Sequence, residues 1–416
     1  MLLLRAKTVL PISRPSIDDG AVLVDGNRIR AVGFWSEFQA ADHQVVDLGE
    51  SILLPGLINA HCHLDYTGMA GRIAPGRDFA QWIKAIMALK GTWADADYAR
   101  SWAEGARQLV ESGCTSVADI EAVPAVLLEA WNSTPLRVTS FIELTCIRAQ
   151  RSPAEIIAEA VRIVEALPPG RSRAALSPHA PYSTLPELLQ LATDASRERC
   201  WPVTTHVSES ADEFDMFMYR RGPMFEWLKA QRDMGDCGSG SPVQALNRAG
   251  LLGPNFLAVH VNYLWENDDY LLARSGSSVV HCPLSHAYFG HRAFPHGQLA
   301  YAGVNLCLGT DSAASLPANR GYLPRLSLFD EMQEFSRQHP HVPAEQVLRM
   351  ATINGARALG RSGELGELGE GALADLIAIP MGYGPDPFGA VVHHRGPVTT
   401  SMIEGAWAIP PVYPSR

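Results

Sequence analysis

Short apolar runs with strand character alternate with amphipathic helical patterns through the middle of the chain. The strand-like runs are Ile52–Ala60, Cys114–Ile120, Arg137–Leu144, Arg173–Ser177, Pro202–Val207, Phe256–Val261, Ser277–Cys282 and Val304–Leu308. Helical patterns cover Asp97–Ser112, Pro153–Ala166, Pro186–Arg199 and Asn267–Arg274. Eight such strands separated by helices over about 300 residues predict an α/β fold, a parallel (β/α)8 barrel.

The two ends of the chain have a different pattern, that of short β-strands. Gly20–Gly33 is typical of a hairpin with an Asp-Gly turn, and Ala374–Ile379 and Val398–Ile403 are further strand candidates. Because both ends are rich in strands around a different middle, we expect the termini to meet in one small β-domain. Gly235–Ser241 is predicted to be a loop between helices.

Composition narrows the class of protein. The chain has 416 residues, of which 47% are hydrophobic and 19% charged, as in soluble globular enzymes. A net charge of −10 and a pI near 5.8 disfavour nucleic-acid binding, and no apolar run approaches the roughly 20 residues that span a bilayer. The apolar stretch Leu2–Leu4 is too short for a signal peptide, and the seven cysteines are scattered, so we expect a cytoplasmic protein with reduced thiols.

Two histidines one residue apart end the first strand-like run. His61 and His63 project to the same side of a strand, because residues i and i+2 share a face. Two neutral imidazoles directed at one point form half of a site for a divalent transition metal. A bare His-x-His motif also occurs by chance, so the residues at the other strand ends determine whether this one belongs to a metal site.

Polar side chains follow most of the other predicted barrel strands. They are His179 after the fourth strand, His206 and Glu209 after the fifth, His260 after the sixth, His281 after the seventh and Asp311 after the eighth. In a (β/α)8 barrel the carboxyl ends of all strands face the active site. We therefore expect these groups to converge.

The expected metal ligands are His61, His63, His206 and Asp311, a set typical of one zinc or iron ion with a position left for water. Such a metal lowers the pKa of bound water toward neutrality and provides hydroxide. Glu209 is the candidate proton shuttle and Asp311 a further proton acceptor. His260 is placed to orient the water. Alternatives are a helix-dipole role for Glu209 and a purely supporting role for His260.

The remaining histidines receive weaker assignments. His179 is a candidate substrate contact, or else a backbone partner in the turn that follows. His281, His286 and His291 are expected in loops or behind the ligands. We expect solvent exposure for the others, which are His43, His296, His339, His341, His393 and His394.

With these residues assembled, the chain resembles the amidohydrolase superfamily, in its deaminase and chlorohydrolase branch. The motifs that carry the resemblance are Leu54–Leu64, Ser177–Ser183, His206–Ser210, His281–Pro283, Gly309–Ser312, Met350–Ala356 and Gly366–Leu376. The resemblance implies a metal-bearing (β/α)8 barrel over residues 56–364, with a β-sandwich formed by residues 1–55 and 365–416. Dimers are common among such proteins, so a homodimer is an expectation of the same kind.

Within that branch, Asp78–Ile83 and Ser241–Val243 look most like the aminofutalosine deaminases. These enzymes convert a 6-aminopurine nucleoside to its 6-oxo form. The resemblance implies that Gln81, Trp82 and Arg148 contact the substrate, a small aminated heterocycle, and that hydroxide attack on its ring releases ammonia. Trp82 is equally compatible with a place in a helix core.

Three segments depart from the pattern of that group. Leu284-Ser285-His286 stands where Arg-Ser-Asn is usual, and Val261-Asn262-Tyr263 lacks a second histidine after His260. An additional stretch, Leu316–Pro324, follows Asp311. All three are expected on loops of the active face, where specificity is set.

Two other activities stay open on the sequence alone. The same site could expel chloride instead of ammonia. A binuclear hydrolase of cyclic amides normally has a carboxylated lysine on the fourth strand, but Arg173–Ser177 contains none, and Glu143 is the only obvious substitute bridge. A non-catalytic scaffold is disfavoured, because such chains lose ligands and this one retains them all.

Overall fold

The computed structural model describes residues 1–38, 43–74, 76, 78–147, 151–317, 323–382 and 386–411. Within these residues the strands are β1 Leu2–Val9, β2 Ile17–Asp25, β3 Arg28–Phe34, β4 Gln44–Asp47, β5 Ser51–Pro55, β6 Leu57–Cys62, β7 Cys114–Glu121, β8 Arg137–Leu144, β9 Arg173–Pro178, β10 Val203–Val207, β11 Phe256–His260, β12 Ser278–His281, β13 Asn305–Leu308, β14 Leu376–Pro380, β15 Thr400–Ile403 and β16 Ala406–Ile409.

The α-helices are α1 Phe79–Lys90, α2 Asp95–Glu111, α3 Leu127–Asn132, α4 Pro153–Ala166, α5 Pro186–Arg199, α6 Ala211–Tyr219, α7 Pro223–Leu228, α8 Pro242–Arg248, α9 Asp268–Ser275, α10 Pro283–Phe289, α11 His296–Tyr301, α12 Leu328–Gln338, α13 Ala344–Met350, α14 Ile353–Ala358 and α15 Pro387–Val392. Short 3-10 helices cover Trp35–Phe38, Leu64–Met69, Pro124–Val126 and Ala313–Ser315. No helix in the described parts of the chain is long and apolar enough to cross a membrane.

Strands β6 to β13 form the predicted parallel barrel in chain order. The ring closes where the backbone N–H groups of Thr310 and Asp311 donate to the carbonyl of His61, at 3.0 and 3.1 Å. A buried apolar layer that includes Ile58, Phe141 and Val259 fills the interior. The ring brings the carboxyl ends of all eight strands to one face, as the sequence predicts.

The two ends of the chain form a second, mixed sheet, with strand order β16-β15-β14-β5-β1-β2-β3 and β4 paired to β1. Antiparallel pairing of β5 with β14, for example Leu54 opposite Ile377, joins the N-terminal and C-terminal segments. The expectation that the termini meet is confirmed. The domain boundaries at residues 55 and 365 stay a prediction.

Two local predictions were wrong. Ile52–Ala60 is not one strand, because the chain leaves the terminal sheet at Gly56 and enters the barrel at Leu57. A Cβ at Gly56 would collide with the Thr115 side chain, so only glycine allows the backbone this close. In the first hairpin the loop is Gly26-Asn27, with Gly26 at φ +59°, and Asp25 still pairs in the ladder.

A buried ion pair links the barrel to the terminal sheet. Arg137, at the start of β8, contacts Asp375 at 3.2 Å and Glu404 at 3.0 Å, and the side chains of Arg137 and Asp375 are 7% and 1% exposed.

Arg137→Ala should lower the free energy of unfolding by about 3 kcal/mol, because it leaves a buried carboxylate without its cation. Urea unfolding measures this. Arg171→Ala, at a half-buried guanidinium 3.9 Å from Glu404, is the matched control with a smaller expected loss. Equal losses in the two variants would contradict the assignment.

Candidate active site

Five side chains converge at the carboxyl face of the barrel, and we call them the active cluster: His61, His63, His206, His260 and Asp311. One ligand atom from each of His61, His206, His260 and Asp311 lies within 4.8 Å of all the others. His63 adjoins this group, because its Nε2 lies 3.2 Å from His206 Nε2 and 3.6 Å from Asp311 Oδ1. The structure therefore brings together all four predicted ligands and places His260 among them.

A backbone contact fixes the orientation of His206. Its Nδ1–H donates to the carbonyl of His179 at 2.8 Å, so its Nε2 carries no proton and faces the Nε2 of His63. A hydrogen bond from the rear nitrogen to a carbonyl is the usual way in which proteins orient a metal-binding imidazole. The sequence did not indicate this contact, because it depends on the turn that follows β9.

The two oxygens of Asp311 have different partners. Oδ2 accepts hydrogen bonds from the hydroxyls of Ser285, at 2.6 Å, and Ser315, at 3.1 Å. Oδ1 points into the active cluster, 3.5 Å from His61 Nε2 and 3.6 Å from His63 Nε2. Burial opposes ionisation of Asp311, but contact with His61 and the nearby imidazoles outweighs it and holds the pKa of this carboxyl well below its usual value.

The chemistry of these donors fits a divalent metal. The buried Nε2 atoms of His61 and His260 have no hydrogen-bond partner among the described residues. Burial, aided by neighbouring imidazoles, lowers the pKa of His63 to about 3 and that of His260 to about 3, so both rings are neutral. Neutral imidazoles beside one ionised carboxylate are the donor set of catalytic zinc and iron sites.

Several residues around the active cluster have positive φ angles, which are rare for residues other than glycine. Asp311 has φ +55°, His260 +74° and Val261 +49°, and Ser208 in the loop after β10 has +51°. Positive φ values at residues other than glycine cost free energy and concentrate at functional sites. Here they turn the chain sharply at the ends of three strands, so that the side chains face one another.

Gly309 allows the end of β13 to approach β6 beside His61, one of the predicted metal ligands. A Cβ at this position would lie 2.8 Å from the carbonyl oxygen of His61 and 2.9 Å from its Cβ.

Gly309→Ala should therefore displace His61 and weaken metal binding by about 10- to 100-fold, the range seen when a metal ligand loses a supporting contact. Metal content after dialysis measures the loss. Gly170→Ala, where a Cβ meets nothing within 4 Å, is the control. Normal metal content in Gly309→Ala would refute the close-approach argument.

Glu209 faces the same cavity as the active cluster, and its Oε1 lies 3.6 Å from His260 Nε2. Burial, with added repulsion from Asp311 and Glu213, raises the pKa of the Glu209 carboxyl well above its usual value. A carboxyl with a raised pKa keeps its proton to higher pH, which suits general acid catalysis. The geometry is therefore that of a proton donor beside a metal site.

Residues other than Glu209 supply the hydrogen bonds at the start of helix α6. Ser210 Oγ accepts from the N–H of Glu213, and the Glu213 carboxylate accepts from the N–H groups of Ser208, at 3.1 Å, and Glu209, at 2.9 Å. The Glu209 side chain is left free to face the cavity. The spacing Ser210-x-x-Glu213 is that of a capping box, a signal in the sequence that could have identified this support.

The two short segments that depart from the family pattern support the site from behind. Asn262 Nδ2 donates to the carbonyl of Glu209 at 2.9 Å, and its Oδ1 lies 3.1 Å from His286 Nδ1. Ser285, beside His286, holds Asp311 as described above. Both segments therefore hold residues of the site in position. They had been expected in loops that face the substrate and set specificity. Part of the third, residues 318–322, lies outside the described residues.

A cavity of about 330 Å³ opens above the active cluster. Its lining includes His63, Tyr66, Trp82, Ile83, Ile86, Met87, Lys90, Glu143, Thr145, Ile147, His179, Tyr182, Ser183, His206, Glu209, Trp227, Leu228, His260, Asp311 and Ser312. The cavity is largely apolar and aromatic with a few polar groups, as small-molecule sites are. Of the predicted substrate contacts, His179 and Trp82 lie in its wall. Gln81 is exposed outside the lining, and Arg148 falls outside the described residues.

One side of the cavity carries charged side chains. The sequence indicated Glu143 as a possible bridge between two metals, but not its pairing with Lys90. Lys90 Nζ lies 3.8 Å from Glu143 Oε1 and contacts the hydroxyl of Tyr66, whose ring stacks on His63 with centroids 5.2 Å apart. Burial alone would raise the pKa of Glu143, but Lys90 and nearby histidines outweigh it and lower it. Glu143 is therefore an ionised group paired with Lys90 in the cavity wall.

The expectation of solvent exposure for the outlying histidines was partly wrong. His296 and His339 are 9% and 7% exposed, because both pack against the ring of Phe335. His341 and His393 are exposed as expected. His281, expected in a loop or behind the ligands, ends β12 and stacks on Phe294 with ring centroids 3.8 Å apart.

The barrel and its donor set define a metal-dependent hydrolase of the (β/α)8 type. Residues 52–408 match the amidohydrolase family, and the chain belongs to that family. The predicted resemblance is confirmed, and the chain is a hydrolase that acts on carbon–nitrogen bonds.

Similar proteins include several deaminases. The chain is 33% identical over 383 residues to the 5-methylthioadenosine/S-adenosylhomocysteine deaminase of Syntrophobacter fumaroxidans, covering 87% of this chain and 80% of the relative. A zinc-bound adenosine deaminase from Xanthomonas campestris superposes with TM-score 0.85 at 25% identity, covering 98% and 92% of the two chains. The Helicobacter pylori aminofutalosine deaminase, solved with methylthio-coformycin, gives TM-score 0.85 at 20% identity over 98% and 100%, which shows a common fold.

Proposed function

We propose that the protein catalyses hydrolytic deamination of a 6-aminopurine nucleoside, such as aminofutalosine, with one zinc ion bound by His61, His63, His206 and Asp311. The observation that carries the proposal is the buried Glu209 carboxyl, which lies beside the active cluster with its Oε1 3.6 Å from His260 Nε2 and lines the cavity. An amidine-type ring needs a proton on its nitrogen before ammonia can leave, and Glu209 is the group placed to deliver it. The adenosine-type activities of the similar proteins support the same substrate class.

The metal, when bound, supplies an activated water at neutral pH. Glu209 gives its proton to the ring nitrogen next to the carbon under attack. Asp311 accepts a proton from the attacking water, and His260 orients that water through its free Nε2. Asp311 then gives that proton to the departing amino group, which leaves as ammonia. The hydroxyl on the attacked carbon returns its proton to Glu209, so the carboxyl is restored and the 6-oxo nucleoside remains.

The cavity supports a nucleoside as the substrate. Trp82 and Tyr182 offer aromatic surface to a purine, and His179 lies near His206, its Nδ1 2.6 Å from Ser183 Oγ. The Lys90–Glu143 pair provides a donor and an acceptor for sugar hydroxyls. Gln81 and Arg148 stay predicted substrate contacts.

A panel of substrates tests the proposal. Zinc-loaded protein is incubated with aminofutalosine, 5-methylthioadenosine, adenosine, guanine, an aminated triazine, a chlorinated triazine and a cyclic amide, and ammonia, chloride and ring opening are measured. We expect ammonia from the adenine nucleosides at rates well above those for guanine or the triazines. Chloride release without ammonia would favour the chlorohydrolase alternative. Ring opening of the cyclic amide, with two metals required, would favour the binuclear one.

A further inference from the structure

A second group of metal-binding side chains lies outside the active cluster, and we call it the three-histidine cluster: His296, His339 and His341. One imidazole nitrogen from each lies within 4.8 Å of the other two. None of the three lines the cavity described above. The proposed deamination makes no use of them.

The ends of two helices bring these histidines together. His296 is the first residue of α11, and His339 directly follows the last residue of α12, where its N–H donates to the carbonyl of Phe335 at 2.8 Å. Pro340 separates His339 from His341 and restricts the backbone between them. The ring centroids lie 5.3 Å apart for His296 and His339, and 6.1 Å from each of these to His341.

Two nitrogens of the cluster are buried without a partner. His296 Nδ1 and His339 Nε2 have no hydrogen bond within the described parts of the chain, although each residue is more than nine-tenths buried. Leaving a buried polar atom unpaired costs about 1–3 kcal/mol, so such atoms call for an explanation. Burial and the neighbouring histidines lower the pKa of His339 to about 4, which leaves its ring neutral.

Packing alone explains these residues poorly. His296 and His339 both contact Phe335, with centroids 5.4 and 4.6 Å away, and an apolar ring would fill the same space without unpaired nitrogens. His341 is exposed and covers the outer side of the pair. Two of the three imidazoles are buried and the third is exposed, so an ion from solvent can reach the cluster on the side of His341.

We propose that the three-histidine cluster binds a divalent transition metal, Zn²⁺ foremost, through three imidazoles with the remaining position open to water. Imidazole is a preferred ligand of zinc, and three such ligands at 2.0–2.1 Å would lie about 3.3 Å from one another, so zinc would draw these nitrogens together from their present separations of up to 4.8 Å. The ion ties the start of α11 to the end of α12. The cluster shares no residue with the active cluster.

The proposal changes how metal content is interpreted. A chain with both sites binds two equivalents of zinc although its reaction needs one. Two equivalents alone would therefore not indicate a binuclear active site. What separates the two explanations is whether the second equivalent is required for activity.

The test compares metal-stripped wild type, His341→Ala and His393→Ala after dialysis against Zn²⁺, with metal counted by mass spectrometry. His341 is exposed, so its loss should leave the fold intact, and His393 is an exposed histidine outside the cluster. We expect two equivalents in wild type and His393→Ala and one in His341→Ala. The thermal midpoint should rise on adding the second equivalent only in the first two proteins. The deamination rate should be equal in all three.

The complementary variant Asp311→Asn separates this proposal from the proposed function. It should lose the equivalent in the active cluster and retain the one in the three-histidine cluster. One equivalent in wild type, or two in His341→Ala with an unchanged thermal response, would overturn the second site. Neither result would bear on deamination, which is measured separately as ammonia.

Discussion

Replacement of Glu209 by glutamine should slow ammonia release by about a thousandfold, within the range that a positioned acid–base group contributes. Glutamine keeps the size of the side chain and a hydrogen-bonding oxygen, but it has no proton to transfer. The raised pKa of Glu209 and its 3.6 Å separation from His260 support its proposed role as the acid. The loss should therefore fall on kcat.

Metal binding should be unchanged in Glu209→Gln, because the predicted ligand set does not include Glu209. Its backbone position should also survive, since Glu213 and Asn262 hold the N–H and carbonyl of residue 209 and not its carboxylate. Glu226→Gln, an exposed change on α7, is the matched control and should keep full activity. Near-normal turnover in Glu209→Gln with metal bound would remove Glu209 from the mechanism.

Asp311→Asn should abolish both metal binding in the active cluster and activity. Oδ2 of Asp311 accepts from two serine hydroxyls, so an amide nitrogen is disfavoured there and must point toward His61 and His63. The variant would then present N–H groups where a cation needs a carboxylate. We expect metal affinity in the active cluster to fall by more than the roughly 10- to 100-fold that loss of a supporting contact costs.

A graded series separates this effect from general damage. Ser285→Ala removes one of the two hydroxyls on Oδ2 and should weaken metal binding less than Asp311→Asn does, by about tenfold. Asp194→Asn, at an exposed site on α5, should change nothing. Metal content and circular dichroism are measured in parallel. An Asp311→Asn protein that keeps metal in the active cluster would show that the carboxylate is not a ligand.

The sequence predicted the barrel well because hydrophobic periodicity and turn chemistry are local. Helices α4 and α5 begin and end where the pattern places them, since proline occupies the first helical position and apolar residues follow the helical period. The split of Ile52–Ala60 was missed because both halves are equally apolar. What separates them is the contact of Gly56 with Thr115, which is distant in sequence.

The predicted ligands could be found from the sequence, but most of the hydrogen bonds that hold them in position could not. His61, His206 and Asp311 follow apolar strands, which the chain displays directly. The contact of Ser285 with Asp311 and that of His286 with Asn262 join helix α10 to segments that follow other strands, and single-sequence patterns carry no such information. The burial of His296 was missed for the same reason, because Phe335 lies on another helix. His339 packs on Phe335 from the end of the same helix, four residues later.

The most direct test of the account is a zinc titration of ammonia release. Metal-stripped His341→Ala protein, in which the three-histidine cluster no longer competes, is given a 6-aminopurine nucleoside and increasing Zn²⁺. The account predicts a rate that rises in proportion to zinc up to one equivalent per chain and then stays constant, with one ammonia formed per nucleoside consumed. No ammonia at any zinc content, or a rate that rises until two equivalents are bound, would contradict it.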